Sequence, residues 1–425
     1  MNSKFKQELP KLIKEGVISV DVASKIESYY NSNSNTSSNK LFTIFGVIGS
    51  LLIGLGIILI LAHNWDDFSK ITKTFFALSP LIIGQVAVGY SLIKKKSSSW
   101  LESSGTFLFF AVGSSISLVS QIYNIPGNLS SFLLGWLLLC IPLVYLLKSK
   151  SVFILCLIFS TYYVYEVGYS YSNGYKTPWL YLALISGLIP FYVNNLKYKL
   201  VENITTISNF LIPLSIIISF GTFLKGNYQF YILIYGILFG FLYNIGKFNI
   251  YKTTRIRKNG FLLLGSLGLI IMMLTMTVKE FWSDSFLNSE IESQNLVISI
   301  VLLISSILLI IYNNKSSKFN LSNLFEYTSI IIVLIYFLNT LDNSLSTVLV
   351  NIIVFILGVS TIKKGADKMN FGVLNYGLLM ITALIVLRFF DTEMTFVIRG
   401  FLFISVGIGF FVANYLMLKK SRKNL

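Results

Sequence analysis

The stretch ILAHNWDDFSK, residues 60–70, ends an apolar run and then sets His63, Asn64, Trp65, Asp66 and Asp67 in succession. Adjacent carboxylates beside an imidazole are the residue types of acid–base work or of a cation site. Asp66 and Asp67 alone make a weak metal pair, because a hard cation takes about six to eight oxygens. His63 is the only histidine, so a His-rich metal cage is excluded. The plainer alternative is an interfacial turn. Trp65 would then sit in the aromatic belt, and Asp66 or Asp67 would cap a helix starting near Phe68.

Other polar groups interrupt apolar runs further along. SQIYN carries Gln121, Tyr123 and Asn124, LRFFD carries Arg388 and Asp391, and FVIRG carries Arg399. Ionisable groups in membrane segments are costly and either pair or serve a pathway. The two arginines suit a planar clamp on a phosphate or carboxylate, or a pairing with Asp391 that fastens the last helices. Gln121 and Tyr123 suit helix-to-helix hydrogen bonds as well as a ligand. Glu166 ends another run, and Glu326, at the start of one, is given no role beyond pairing with a lysine or reaching water.

The elements that must position these groups follow from composition. The chain is 54% hydrophobic and 12% charged, against about 45–50% and about 25% for soluble domains. Too few charges are present to cover a water-facing surface. Apolar runs of roughly 18 residues or more follow one another, each long enough to cross a hydrocarbon core of about 30 Å as a helix. The fold class is therefore all-α, a polytopic bundle of about fourteen spans over residues 41–418. The span cores are 41–62, 71–93, 104–123, 130–147, 151–167, 178–196, 204–223, 229–246, 260–278, 295–312, 324–339, 345–362, 372–388 and 396–418. Cys140 and Cys156 fall inside spans and read as small core hydrophobes. Gly46, Ser50 and Gly54, and Gly236 with Gly240, are small-residue seams for close helix approach. Pro80, Pro142, Pro190 and Pro213 fall within spans.

The net charge of +16 has a positional explanation. With the N-terminus in the cytoplasm, 27 of the 34 lysines and arginines fall on the inner side and seven on the outer, whereas the acids divide eight to ten. That is the positive-inside pattern, so both termini are expected in the cytoplasm and no nucleic acid is needed to explain the charge. His63, Asp66, Gln121, Tyr123, Arg388, Asp391 and Arg399 then share the outer membrane level. The first 40 residues lack the apolar core of a cleaved leader. Residues 1–31 read as a cytoplasmic helical hairpin, broken at Gly16 and capped again at Ser19. Residues 32–40 read as a flexible linker, and 419–425 as a basic cytoplasmic tail.

KEGVIS and SKIESYY in the hairpin, the glycine-rich first span ending in AHNWD, then SQIYN and GWLLLCIPLVYLLKS resemble a family of bacterial predicted membrane proteins, domain of unknown function 2157. The likeness covers about residues 5–150. The terminal pattern of Arg388, Asp391, Arg399, Gly400, Gly407 and Asn414 is similar to that of full-length members. The resemblance implies a bacterial inner-membrane protein with a cytosolic N-terminal segment, and it supplies no reaction. Where many relatives carry histidine this chain has Asn124, which argues against a metal there.

Three functions fit. The first is a transporter or flippase-like protein for an anionic or lipid-linked solute, with its polar site on the outer face. The second is a scaffold or sensor that binds a cytosolic protein partner through residues 1–31. The third is an outer-face enzyme on a lipid-linked substrate, resembling membrane glycosyltransferases with an acidic pair in the first outer loop. There Asp66 would hold a metal or act as base, although the loop has only about eight residues where such enzymes have long ones. No Walker loop, dinucleotide fingerprint or zinc motif is present, and no cofactor is expected.

Overall fold

The computed structural model describes residues 3–32, 65–170, 176–198, 203–251, 256–282, 292–313, 323–339, 343–391 and 396–423. The expected linker and the first span, with His63, Asn64 and the Gly46–Ser50–Gly54 seam, lie outside the described residues. Those described are helical, with no strand among them. Two compact units divide the chain, Met1–Leu78 and Ser79–Leu425.

In the first unit, α1 (Ser3–Lys14) and α2 (Val20–Ser32) form a hairpin. Gly16 takes φ +70°, a left-handed geometry open to a residue without Cβ. Its N–H reaches the Ile13 carbonyl at 3.1 Å, and the N–H of Val17 reaches that of Leu12 at 3.0 Å. The Ser19 hydroxyl accepts from the N–H of Val22 at 3.4 Å and starts α2. Leu9 and Ala23 are buried, while Val17, Val20 and Val22 are exposed.

α3 (Lys70–Ile93) is followed by α4 (Ser98–Ile122), α5 (Leu129–Leu147), α6 (Lys150–Gly168), α7 (Leu180–Tyr198) and α8 (Asn203–Phe220). After these come α9 (Tyr228–Gly246), α10 (Gly260–Met276), α11 (Ser293–Asn313) and α12 (Leu324–Asn339). The chain continues through α13 (Asn343–Asp367), α14 (Phe371–Asp391) and α15 (Phe396–Lys423). A helix thus lies over every expected span that is described. Nine among the described residues are long and apolar enough to cross a membrane. α10 and α12 are shorter apolar helices, and α7 carries Asn194, Asn195 and Lys197 near its end. Helices α3, α5, α7 and α8 run through Pro80, Pro142, Pro190 and Pro213.

Lipid supplies no hydrophobic drive between helices, so close packing must. α9 is the helix around which the core forms, with 72% of its apolar window buried. It packs on α10, α11 and α12. A Cβ on Gly265 of α10 would stand 2.5 Å from the Tyr243 backbone nitrogen, so only glycine admits this approach. Gly236 and Gly240 face Ile332 and Ser329 of α12, which gives the GxxxG pattern its use. Nearer the N-terminus, Gly113 makes room for the Trp136 ring. The Trp136 indole donates to the Phe109 carbonyl at 2.7 Å and packs 4.6 Å from Phe159. Cys140 and Cys156 are free and buried in this core.

Turns hold their polar groups with asparagine and serine, as backbone at a membrane edge requires. Asn259 accepts from the Leu262 N–H at 3.1 Å and donates to the Gly246 carbonyl at 2.7 Å, joining the end of α9 to the start of α10. Asn295 pairs in the same two-way manner with the backbone of Lys225, at 3.1 and 2.6 Å.

Candidate functional site

In the first unit, Trp65, Asp66 and Asp67 form a turn ahead of α3, with both carboxylates exposed. The cap is Ser69 rather than either aspartate: its hydroxyl accepts from the Thr72 N–H at 3.2 Å. The start expected near Phe68 is displaced by two residues to Lys70. Lys73, one turn into α3, lies 5.9 Å from the Trp65 ring centre, a cation–π contact.

In the second unit, Gln121 and Tyr123 end α4 and are exposed. Arg388 is partly buried and donates from Nη2 to the Thr277 carbonyl at 2.7 Å and to its hydroxyl at 3.3 Å. Thr277 is fully buried and closes the C-terminus of α10. A guanidinium is well placed there, since the last carbonyls of a helix lack intrahelical partners and carry its negative dipole end. Asn351 of α13 donates to the same carbonyl at 3.2 Å. Arg388 is thus a fastener of α10 to α14. Asp391 is the last residue of α14 and Arg399 lies in the first turn of α15; their side chains lie outside what is described. α4 packs on α5 and α6, and α14 chiefly on α13. Among the described residues no three potential metal ligands of the His, Cys, Asp and Glu type gather.

The buried charge lies at the opposite, lysine-rich helix ends. Lys247, which follows α9, meets Glu326 in the first turn of α12 at 3.0 Å, and the Glu326 side chain is 4% exposed. The same α9 face presents Tyr243, whose ring lies 5.7 Å from the Lys247 ammonium and stacks on Phe325 at 5.4 Å. Asn244, fully buried, donates to the Glu326 carbonyl at 3.0 Å and receives Asn313 on its own carbonyl at 3.1 Å. Lys364, near the end of α13, has Lys247 and Glu326 as electrostatic neighbours. Lys368 is a further electrostatic neighbour of Lys364, so lysines outnumber the one acid at the seam where α9 and α13 end and α12 begins.

Three buried polar atoms border this seam. Asn244 Oδ1 and Ser329 Oγ form no hydrogen bond within the protein, and the Tyr376 hydroxyl lies near Tyr243 and Ser266 without a well-formed one. The net positive balance, with the Ser329 and Tyr376 hydroxyls as donors, makes this a place where an anion is stabilised. Elsewhere among the described residues the fully buried polar side chains are neutral. Tyr192 meets Tyr251 at 2.6 Å and Asn209 at 2.8 Å, and burial pushes the Tyr251 phenol up to about 12. Glu326, an acid two residues into an apolar helix, is expected from the sequence to pair with a lysine or reach water, and it pairs with Lys247.

No curated protein and no solved structure matches the chain. Residues 10–153 match a family described as predicted membrane protein (DUF2157). The match runs from α1 into the first turn of α6, and the Lys247–Glu326 seam lies beyond it. Over that stretch the resemblance carried by KEGVIS, AHNWD and SQIYN holds: this chain is a many-helix membrane protein whose N-terminal third is the region of the predicted membrane protein family DUF2157.

Proposed function

We propose that the chain is a transporter of the bacterial cytoplasmic membrane for an anionic solute, free or lipid-linked, with both termini in the cytoplasm. The Lys247–Glu326–Lys364 seam is its charged site on the inner side. One observation carries this reading: an ion pair at 3.0 Å, with Glu326 buried, beside a second lysine. A buried pair is an expensive way to hold helices together, since apolar packing serves as well or better. Its use lies in exchange: an incoming anion takes Lys247 or Lys364 while Glu326 keeps the remaining lysine. The orientation rests on the lysine and arginine bias, and the bacterial assignment on the family resemblance. Arg388, bonded to Thr277, belongs to the frame around the site.

The test is flux in proteoliposomes, with inorganic phosphate, a dicarboxylate and a polyprenyl phosphate as probes. Uptake of one probe, abolished by Lys364→Gln and kept by Arg388→Lys, is the expected result. No flux of any probe, or equal flux in Lys364→Gln, removes the reading. Cysteine accessibility at the helix ends checks orientation.

A second reading has its own observation. Val17 and Val20 of the hairpin are 64% and 70% exposed, an apolar edge suited to a cytosolic protein partner, as a scaffold or sensor would need. If removal of residues 1–32 abolishes function in cells while flux persists in proteoliposomes, the hairpin is a docking element added to a transporter.

A further inference from the structure

An open groove of the second unit lies among α3, α4 and α5, apart from the charged seam. Its volume is about 630 Å³, and its walls include Val88, Leu92, Leu108, Leu143 and Leu146. Gly89 lines it and has no atom within 4 Å of where a Cβ would stand, so the groove is open at this point. At one end the walls run directly into charge. Leu92 is followed by Lys94, Lys95 and Lys96, and Leu146 by Lys148. Lys96 is held between Tyr90, at 5.1 Å, and Trp100, at 5.9 Å, the aromatic setting of a membrane interface.

The turn between α3 and α4 reads KKKSSSW. Ser97 precedes α4 without capping it through its side chain, so that cap does not satisfy the first helical N–H groups. Glu102, the next acid along the chain, is engaged elsewhere. Its carboxylate accepts from the Ser149 hydroxyl at 2.6 Å and from the N–H groups of Lys150 and Ser151, each at 2.9 Å. The collar thus has no acid partner from the first turns of α4.

We infer that this groove is a binding site for an anionic phospholipid, one acyl chain lying along the groove and the headgroup phosphate in the Lys94–Lys95–Lys96 collar. An apolar slot takes the chain of any lipid; four lysines at its mouth select the charged headgroup. The collar is on the side that the lysine bias assigns to the cytoplasm, where anionic lipids concentrate. This site is independent of the transport reading, and either can fail alone.

The full chain, purified in detergent, is offered dioleoyl phosphatidylglycerol or dioleoyl phosphatidylcholine and read by native mass spectrometry. One retained phosphatidylglycerol, preferred roughly ten- to a hundredfold over phosphatidylcholine, is expected from charges near the surface. K94Q/K95Q/K96Q should erase the preference but keep weak binding of both lipids. Gly89→Phe, which fills the open space, should remove both. Equal retention of the two lipids by the unaltered chain overturns the proposal. A phosphatidylglycerol with a photoreactive acyl chain needs no variant: labelling within 88–92 and 139–146 supports the site, and labelling elsewhere overturns it. A Gly89→Cys chain that forms a disulfide to a second copy identifies a protein occupant and also overturns it.

Discussion

The two ends of the second unit treat charge in different ways. At the lysine-rich end, Lys247 and Glu326 meet side chain to side chain with Lys364 beside them, and Asn244 Oδ1 and Ser329 Oγ have hydrogen-bonding capacity to spare. At the other, Arg388 directs Nη2 at the carbonyl that ends α10 and Asn351 shares that carbonyl, although Arg388 Nε and Asn351 Oδ1 also have capacity to spare. One arrangement can exchange partners without opening a helix end; the other cannot. The difference separates a charge that completes backbone structure from one held where a ligand can compete for it.

The strongest way to break this contrast is to remove one half of the buried pair. Glu326→Leu should lower stability by roughly 3–5 kcal/mol, because Lys247 is left as an uncompensated charge. Lys247→Met combined with Glu326→Leu should recover most of that loss, as thermal melting in detergent would show. If both variants melt alike, the pair has no energetic coupling and the contrast collapses. Next in size is Arg388→Ala, expected to cost roughly 1.5–3 kcal/mol for a charged hydrogen bond to a carbonyl. Solute flux per folded molecule should stay unchanged, and a selective loss of flux would move Arg388 from the frame to the site. Asn351→Leu removes a weaker, neutral donor to the same carbonyl and should cost about 0.5–1.5 kcal/mol. Ser329→Ala is the smallest perturbation. Its hydroxyl makes no bond within the protein, so melting should stay level or rise while affinity for the anion falls.

What could be read in the sequence was local. Continuous apolar runs placed α5 at 130–147, where the helix is Leu129–Leu147. The run at 151–167 is a helix, Lys150–Gly168, although Glu166 stands near its end. Gly236 and Gly240 announced a seam, and α12 fills it. The partners of charged groups were not legible. Lys247 and Glu326 are 79 residues apart, and Arg388 and Thr277 are 111 apart, so neither pairing leaves a periodicity. The apolar run around Arg388 was readable, but hydropathy does not say whether a guanidinium meets a ligand or a helix end. The same limit applied to Asp66 and Asp67: a carboxylate before a helix suggested a cap, and a serine two residues on from Asp67 took that place.

The Glu102 clasp bears on how the chain is assembled. Its acceptor oxygens are satisfied only by Ser149, Lys150 and Ser151, 47 to 49 residues further along. Those donors follow α5 in the chain, so α4 and α5 are both synthesised before the carboxylate finds them. Until then Glu102 is held at the aqueous surface by its own hydration. When the clasp closes it joins α4 to α6 over the head of α5, turning three successive insertions into one unit. An order of events in biogenesis is thus written into a single side chain, and Glu102→Gln should leave insertion intact while loosening the closure that follows it.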